Sequence, residues 1–347
     1  MGLYFLRRLL LMMPTLIGIT LVCFAIINLA PGSPIQQKLA LLRFGGAMGG
    51  GATGTGGDIG YERGDQGVSE EIINALKKQY GFDKPLLVRY GIWIKNLSRL
   101  NFGDSFMYEE PVLDVILARI PISLQFGLTS LILTYAVCMV LGVVKALTDG
   151  SPFDVCSSLV LFIMYSIPPL MLGILLIVFI AGAENSWFPI GGMVSDDYDE
   201  LAFWGKVEDR MRHFILPLCC YMIGSFTFLT MLMKNSMLDV IKLDYVLTAQ
   251  AKGLSNKIVY MKHALRNALI PVVTGMGGIL SVFFAGSVII EQLFQIDGMG
   301  LLGYNAALAR DYNVMMGLIF ISSILFLAGR LVVDVLYVIV DPRIDFS

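Results

Sequence analysis

Charge is scarce in this chain, and it is missing where it would be most informative. Only 15% of the 347 residues are Asp, Glu, Lys or Arg, and six long apolar stretches contain none of them. Histidine is nearly absent: His213 and His263 stand at the edges of separate stretches, where each reads as an interfacial or capping residue and the two make no joint metal site. Cys23, Cys138, Cys156, Cys219 and Cys220 lie in or beside the apolar stretches, with no spacing that suggests a disulfide framework or a zinc cluster. The glycine-rich GATGTGG at Gly51–Gly57 lacks a following Lys-Ser or Lys-Thr and a strand–helix setting, which excludes a phosphate-binding loop. No nucleophile, base and orienting group occur together, so no active site is expected. The net charge of −2 says little, because the distribution of charge matters more than its sum, and no nucleic-acid partner is expected.

What is present is hydrophobic sequence, 56% of the chain with a mean hydropathy of +0.74, which is implausible for a soluble domain. Six stretches are long enough to cross a bilayer: Leu9–Ala30, Ile120–Val144, Val155–Ala183, His213–Met233, Asn267–Ile290 and Tyr312–Gly329. The fold class predicted is an all-α integral membrane protein with six transmembrane helices, embedded in lipid. Leu9–Ala30 is too long for a signal-peptide core and reads as a retained span. Arg7 and Arg8 place the N-terminus inside, and six crossings return Arg343 and the C-terminus to the same side. Lys145 and the basic residues of 234–266 then lie inside too. Arg210 and Arg212 fall outside, against the rule, in a loop that is otherwise acidic. Arg330 and Asp334, one helical turn apart, are expected to pair at the inner headgroup level.

Three parts are predicted: a first helix over 1–32, an external insertion over 33–117, and a five-helix core over 118–347. Within the insertion, 45–67 is rich in glycine and reads as a flexible loop. Helix resumes at Ser69, and a second helix runs from Pro85 to about Leu100.

Inside the core, 236–266 is too polar for lipid and too regular for a plain connector. Tyr245 and Ala249 continue a helical stripe begun by Leu238 and Ile241, and Ile258, Met261, Leu265 and Leu269 resume it. Lys252, Lys257, Lys262 and Arg266 make the segment basic. The pattern predicts two short helices joined at Ala251-Lys252-Gly253-Leu254-Ser255, with Gly253 in a left-handed C′ position and Ser255 capping the second helix. Such a hairpin is either a loop kept helical to satisfy its backbone or a lever that a partner pushes.

The stretch TAQAKGLSNKIVYMKHALRNALIP resembles the coupling loop of permeases in the dipeptide, oligopeptide and nickel branch of ABC importers. Most such loops open with Glu-Ala-Ala. Here Leu247, Thr248 and Ala249 stand at those positions and Gly253 at the glycine, which is the T-A-x-A-K-G form of the peptide branch. YGFDKPLLVRY at Tyr80–Tyr90 and FGDSF at Phe102–Phe106 resemble the family's external signature. Gly286–Tyr312 resembles its re-entrant external region, where Gly298, Gly300 and Gly303 would permit tight bends, and Asp341-Pro342-Arg343-Ile344 resembles its terminal motif. RRLLLMMPTL, WFPIGGMVS and DPRIDF, with the glycine-rich insertion, are most similar to the Yej-type branch, linked to oligopeptide and microcin C uptake.

The resemblance implies a type I ABC importer permease fold and half of a peptide translocation pathway. It implies three kinds of partner: a homologous second permease, two ATPase domains or a fused tandem ATPase, and a periplasmic peptide-binding protein. ATP and Mg²⁺ would sit on the ATPase, with no cofactor on this non-catalytic chain. It also implies that Tyr245, Thr248, Ala249, Ala251, Lys252, Gly253, Leu254 and Ser255 make the coupling contact. Asn28, Gln125, Asn235 and Asn267 are pathway candidates or helix–helix hydrogen-bonding residues. A dipeptide or nickel-chelate permease is the nearest alternative. An ion-coupled secondary transporter is the distant one, since its coupling groups are missing from the spans. In a chain freed of its own cysteines, a cysteine at Asp58 or Asp196 is expected to react with an impermeant thiol reagent in intact cells. One at Asn256 or Asp345 is expected not to, and labelling at Asn256 from outside would reverse the orientation.

Overall fold

A computed structural model describes residues 2–29, 84–182, 187–275 and 286–340. Among them the chain is helical, and its one extended pairing is the isolated Asp104–Pro111 bridge. In chain order the helices are α1 (Gly2–Leu29), α2 (Leu86–Leu97), α3 (Val112–Leu147), α4 (Pro152–Ser166), α5 (Pro169–Leu176), α6 (Phe203–Ile241), α7 (Asp244–Ala251), α8 (Leu265–Gly275), α9 (Val288–Leu293), α10 (Met299–Leu308) and α11 (Tyr312–Val340). The glycine-rich loop over 45–67, the helix expected from Ser69, residues 80–83 of the external signature and the 341–344 terminus lie outside the described residues.

Four helices, α1, α3, α6 and α11, are long and apolar enough to cross a membrane. The stretch expected as one span over Val155–Ala183 is instead two helices, α4 and α5, bent by 93°. Pro168 and Pro169 cause the break. A proline disfavours helix at the residue before it, and Ile167 and Pro168 are accordingly extended, at ψ 115° and 142°. Of the fifth expected span, Asn267–Ile290, α8 covers the beginning and α9 the end, while 276–285 lies outside the described residues. Exposed Leu9, Leu10, Met13, Ile17 and Ile26 on α1, and Val155, Leu159 and Ile163 on α4, present apolar faces suited to lipid.

The chain divides into two compact units. One comprises Met13–Leu117 and Gly303–Ile321. Its core is aromatic: Tyr90 lies 5.3 Å from Phe24 and 6.1 Å from Trp93, and Phe320 lies edge-on to Trp93 at 6.2 Å. The FGDSF segment is folded into this unit. Phe102 and Ser105 are buried. The Ser105 hydroxyl and the Met107 N–H donate to the buried Asp311 carboxylate, whose other oxygen caps α11 by accepting from the Val314 N–H at 3.2 Å. Gly103, at φ +80°, makes the turn that this arrangement needs.

The other unit comprises Met1–Met12, Ala118–Leu302 and Ser322–Ser347, with α6 as its most buried span. Gly142 of α3 lets the backbones close: a Cβ there would lie 2.6 Å from Met233 Cβ on α6. Asp334 pairs with Arg8 of α1, and Arg330 lies 5.3 Å over the Phe326 ring. The expected Arg330–Asp334 pair gives way to this long-range partner. His213 is buried, with Nδ1 2.9 Å from the Asp209 carbonyl of its own helix. Arg210 and Arg212 stack over Tyr198 and Trp187, and Arg212 also pairs with Glu208. These local partners tie both arginines to their own loop.

Past the outer end of the fifth stretch, Glu291 is 1% exposed. It accepts from the N–H groups of Leu301 (2.6 Å) and Gly300 (3.3 Å), and from the Tyr221 hydroxyl. The glycines here work by close approach, without the positive φ of a tight bend. A Cβ on Gly298 would meet the Glu291 carboxylate at 2.6 Å, and one on Gly300 would meet the Gly286 carbonyl carbon at 2.8 Å. Gly303, by contrast, is uncrowded. Burial holds the Glu291 carboxyl above the usual carboxylate range, with the Leu301 and Gly300 N–H groups opposing. A raised carboxyl pKa means that stability is fullest below the unfolded value, about 4.3, and falls as pH rises through the folded value. Thermal melts in detergent across that interval are expected to show this decline, and Glu291→Gln is expected to remove its part of the slope. An unchanged slope in Glu291→Gln would contradict the assignment.

Candidate functional site

The polar segment between α6 and α8 forms the hairpin that its pattern predicts. α6 ends at Ile241, Leu243 turns in extended conformation (ψ 145°), and α7 starts with Asp244 in its first turn, favourable to the helix dipole. Gly253 occupies C′ with φ +77°, and its N–H closes on the Gln250 carbonyl at 2.9 Å. Ser255 holds the N-cap backbone position of the next turn, Asn256–Ile258, but its side chain makes no capping bond.

The packed face differs from the expected stripe. Val246 and Ala249 of α7, and Val259, Ala264, Ala268 and Val272 beyond the turn, are buried against Val143 and Ala146 of α3 and Met233 and Met237 of α6. Leu238, Ile241, Leu265 and Leu269 pack at the edge of this core, while Ile258 and Met261 are exposed. The reason is the π-helical turn Val259–Ala264, whose extra residue shifts the inward phase from 258 and 261 to 259 and 264. Tyr245 is also exposed, but its hydroxyl accepts from Asn267 Nδ2 at 2.7 Å and so ties α7 to α8.

Of the residues expected to make the coupling contact, Tyr245, Thr248, Ala251, Lys252, Gly253, Leu254 and Ser255 are exposed around one end of the hairpin. Ala249 is buried beneath them. Exposed Leu247, Ile258 and Met261 share that end with Lys252, Lys257 and Lys262. The surface is therefore an exposed apolar knob interspersed with lysines, on a base packed against α3 and α6. The pathway candidates have separate local surroundings. Asn28 donates to the Phe24 carbonyl of its own helix, Gln125 lies 4.0 Å from Met193 Sδ, Asn235 faces a mainly apolar cleft between α4 and α6, and Asn267 serves the hairpin.

Beside that base lies a charge network that the sequence reading did not assemble. Lys145, at the end of α3, is fully buried. It donates to the Ser157 and Ser158 hydroxyls and the Asp154 carbonyl, and lies 3.0 Å from Asp154 Oδ1. Lys234 of α6 binds both Asp154 oxygens, at 2.9 and 2.7 Å, and reaches Asp149 at 2.8 Å. One carboxylate thus joins the ends of α3, α4 and α6. The available signal was Ser151-Pro152-Phe153-Asp154, a capping pattern in which the Ser151 hydroxyl accepts from the Asp154 N–H.

Among the described residues, apolar helices long enough to cross a membrane are interrupted by a basic hairpin, an arrangement that suits a membrane transport subunit. Residues 138–346 match the binding-protein-dependent transport system inner membrane component family, and the chain belongs to it. It is 43% identical to the peptidoglycan transport system permease protein YejB of Agrobacterium fabrum, over all of this chain and 99% of that protein. It is also 43% identical to the inner membrane ABC transporter permease protein YejB of Escherichia coli O157:H7, and 34% identical to the oligopeptide transport system permease protein AppB of Bacillus subtilis, over the whole of each chain. The protein is a multi-pass, non-catalytic permease subunit of the inner membrane.

The charge network supplies a test of the hairpin's base. Asp154→Asn leaves the buried Lys145 without a carboxylate and Lys234 with Asp149 alone, and is expected to destabilise the detergent-solubilised protein by roughly 3–5 kcal/mol. The pair Lys145→Met with Asp154→Leu, which removes both buried charges, is expected to be less damaging than Asp154→Asn alone. Equal stability of Asp154→Asn and the native protein, by thermal melt, would dissolve the network's structural role.

Proposed function

We propose that this chain forms half of the membrane pathway of an ATP-driven peptide importer, with its 244–262 hairpin seated in a partner ATPase. The observation that carries the proposal is the knob itself, whose exposed Leu247, Leu254, Ile258 and Met261 sit among lysines on a base buried against α3 and α6. An apolar centre with a charged rim suits a protein partner, and a rigid base passes a displacement on to the spans. The relatives named for oligopeptide and peptidoglycan transport support a peptide cargo. The other half of the pathway is a homologous permease, and a periplasmic binding protein delivers the peptide. ATP and Mg²⁺ belong to the ATPase, as two domains or a fused tandem. Both termini and the hairpin face the cytoplasm. Closure of the ATPase drives the hairpins together and switches the spans between inward- and outward-facing packings, a two-state element biased from a distance.

Reconstituted with these partners, the complex is expected to take up peptide with hydrolysable ATP and not with an imposed proton gradient. Gly253→Val separates coupling from assembly. No atom lies within 4 Å of a Cβ added at Gly253, so the cost is backbone strain at φ +77°, about 1 kcal/mol or more. The variant is expected to reach the membrane and pair with its sister subunit, but to lose peptide-stimulated ATP hydrolysis and uptake. Normal uptake by a normally assembled Gly253→Val complex would remove the hairpin turn from the mechanism.

A further inference from the structure

Between α3 and α6 runs a groove of about 360 Å³, within the size range of ligand clefts. Its walls carry Ser130, Thr134, Tyr135, Tyr221, Ser225 and Phe228, and none of its described lining residues is Asp, Glu, Lys, Arg or His. Three of its hydroxyls have bonding capacity that the described chain leaves unused. Thr134 is 2% exposed, and its Oγ1, buried behind the groove surface, has no hydrogen-bond partner among the described residues, although a helical threonine ordinarily bonds back to the preceding turn. The Tyr135 hydroxyl has no partner among the described residues, and Ser225 reaches the Met222 carbonyl only at 3.5 Å. Tyr221, in contrast, is fixed. Its hydroxyl accepts from the Ser287 N–H at 3.2 Å and donates to Glu291, and its ring stacks on Phe126 with centroids 5.7 Å apart.

The groove surface is mainly apolar, with the Tyr135 and Ser225 hydroxyls as its spare polar points, and such hydroxyls are costly against hydrocarbon, so an occupant with both apolar and hydrogen-bonding groups suits it. A hydroxyl both donates and accepts, so the Tyr135 and Ser225 hydroxyls can each meet an amide N–H or C=O group in any register. Phe228, 63% exposed, adds apolar contact. The lack of charge means that no side-chain charge is favoured. Resting on the reading of the chain as a peptide permease, we infer that this groove is the chain's peptide-contacting surface, and that it binds the peptide backbone without selecting side-chain charge.

The test uses the complete importer in proteoliposomes with three tripeptides, Ala-Ala-Ala, Ala-Lys-Ala and Ala-Glu-Ala. ATP-driven uptake by the native complex tests the permease reading separately, since its absence would fail that reading whatever the groove does. Selection by the binding protein is common to all forms, so ratios between peptides isolate the groove. Ser225→Asp is expected to raise the uptake ratio of Ala-Lys-Ala to Ala-Glu-Ala about fivefold or more, and Ser225→Lys to lower it by a similar factor. If both variants reach the membrane at normal levels and keep the native ratio, the groove faces lipid or the sister subunit and the inference is overturned. Should a charge at 225 prevent insertion, Tyr135→Phe decides. Loss of one hydrogen bond is expected to raise the half-saturating concentration roughly two- to tenfold, equally for all three peptides. An unchanged value, or a change confined to one peptide, would refute backbone recognition.

Discussion

Lys145 cannot reach water, and its charge is stabilised only because Asp154 and two serine hydroxyls of α4 surround it. Asp154 in turn needs Lys234 of α6, because a single buried carboxylate between two ammonium groups is tolerable where an unpaired ion is not. This mutual requirement fixes the ends of three helices to one another. It does so beside Met233 and Met237, the residues on which the hairpin rests. A hairpin on a loose base would absorb a partner's push in local bending. Here the base is bound by charge and packed with small residues, so displacement of the knob has to move α3 and α6 as well.

Elsewhere in the same unit the device is different but serves a similar end. Glu291 is held by two backbone N–H groups, and Gly286, Gly298 and Gly300 are small enough to admit it. Tyr221 links that cradle to the groove wall. Helix α6 is therefore tied to ionisable groups at two levels, by Tyr221 to Glu291 near its middle and by Lys234 to Asp154 towards its C-terminal end.

Most of the membrane plan was legible in the sequence because it follows from the absence of charge over about 20 residues, which few soluble folds tolerate. The hairpin was legible through its lysines and Gly253, whose positive φ follows from the lack of a Cβ. Three features were not. The Val155–Ala183 stretch has the composition of one span, and only the consecutive Pro168 and Pro169 hinted at a right-angle bend. Asp334 had a tempting partner one turn away in Arg330 but takes Arg8, far off in the sequence, because helix packing brings α1 alongside. The Lys145–Asp154–Lys234 network likewise joins residues up to 89 positions apart (234 − 145), a pairing that local spacing does not encode.

The π turn at Val259–Ala264 carries a consequence for how such hairpins can vary. Each residue of a helix advances its face by about 100°, so one residue more or less within this turn re-aims everything that precedes it. Deleting a single position there would restore regular α phasing and swing Ile258, Met261 and the neighbouring lysines about the helix axis, while α8 stayed where it is. The knob's direction is thus set by chain length inside six residues, independently of its surface chemistry. Within this turn, replacing an exposed side chain leaves the hairpin's direction unchanged, whereas an insertion or deletion of one residue re-aims it.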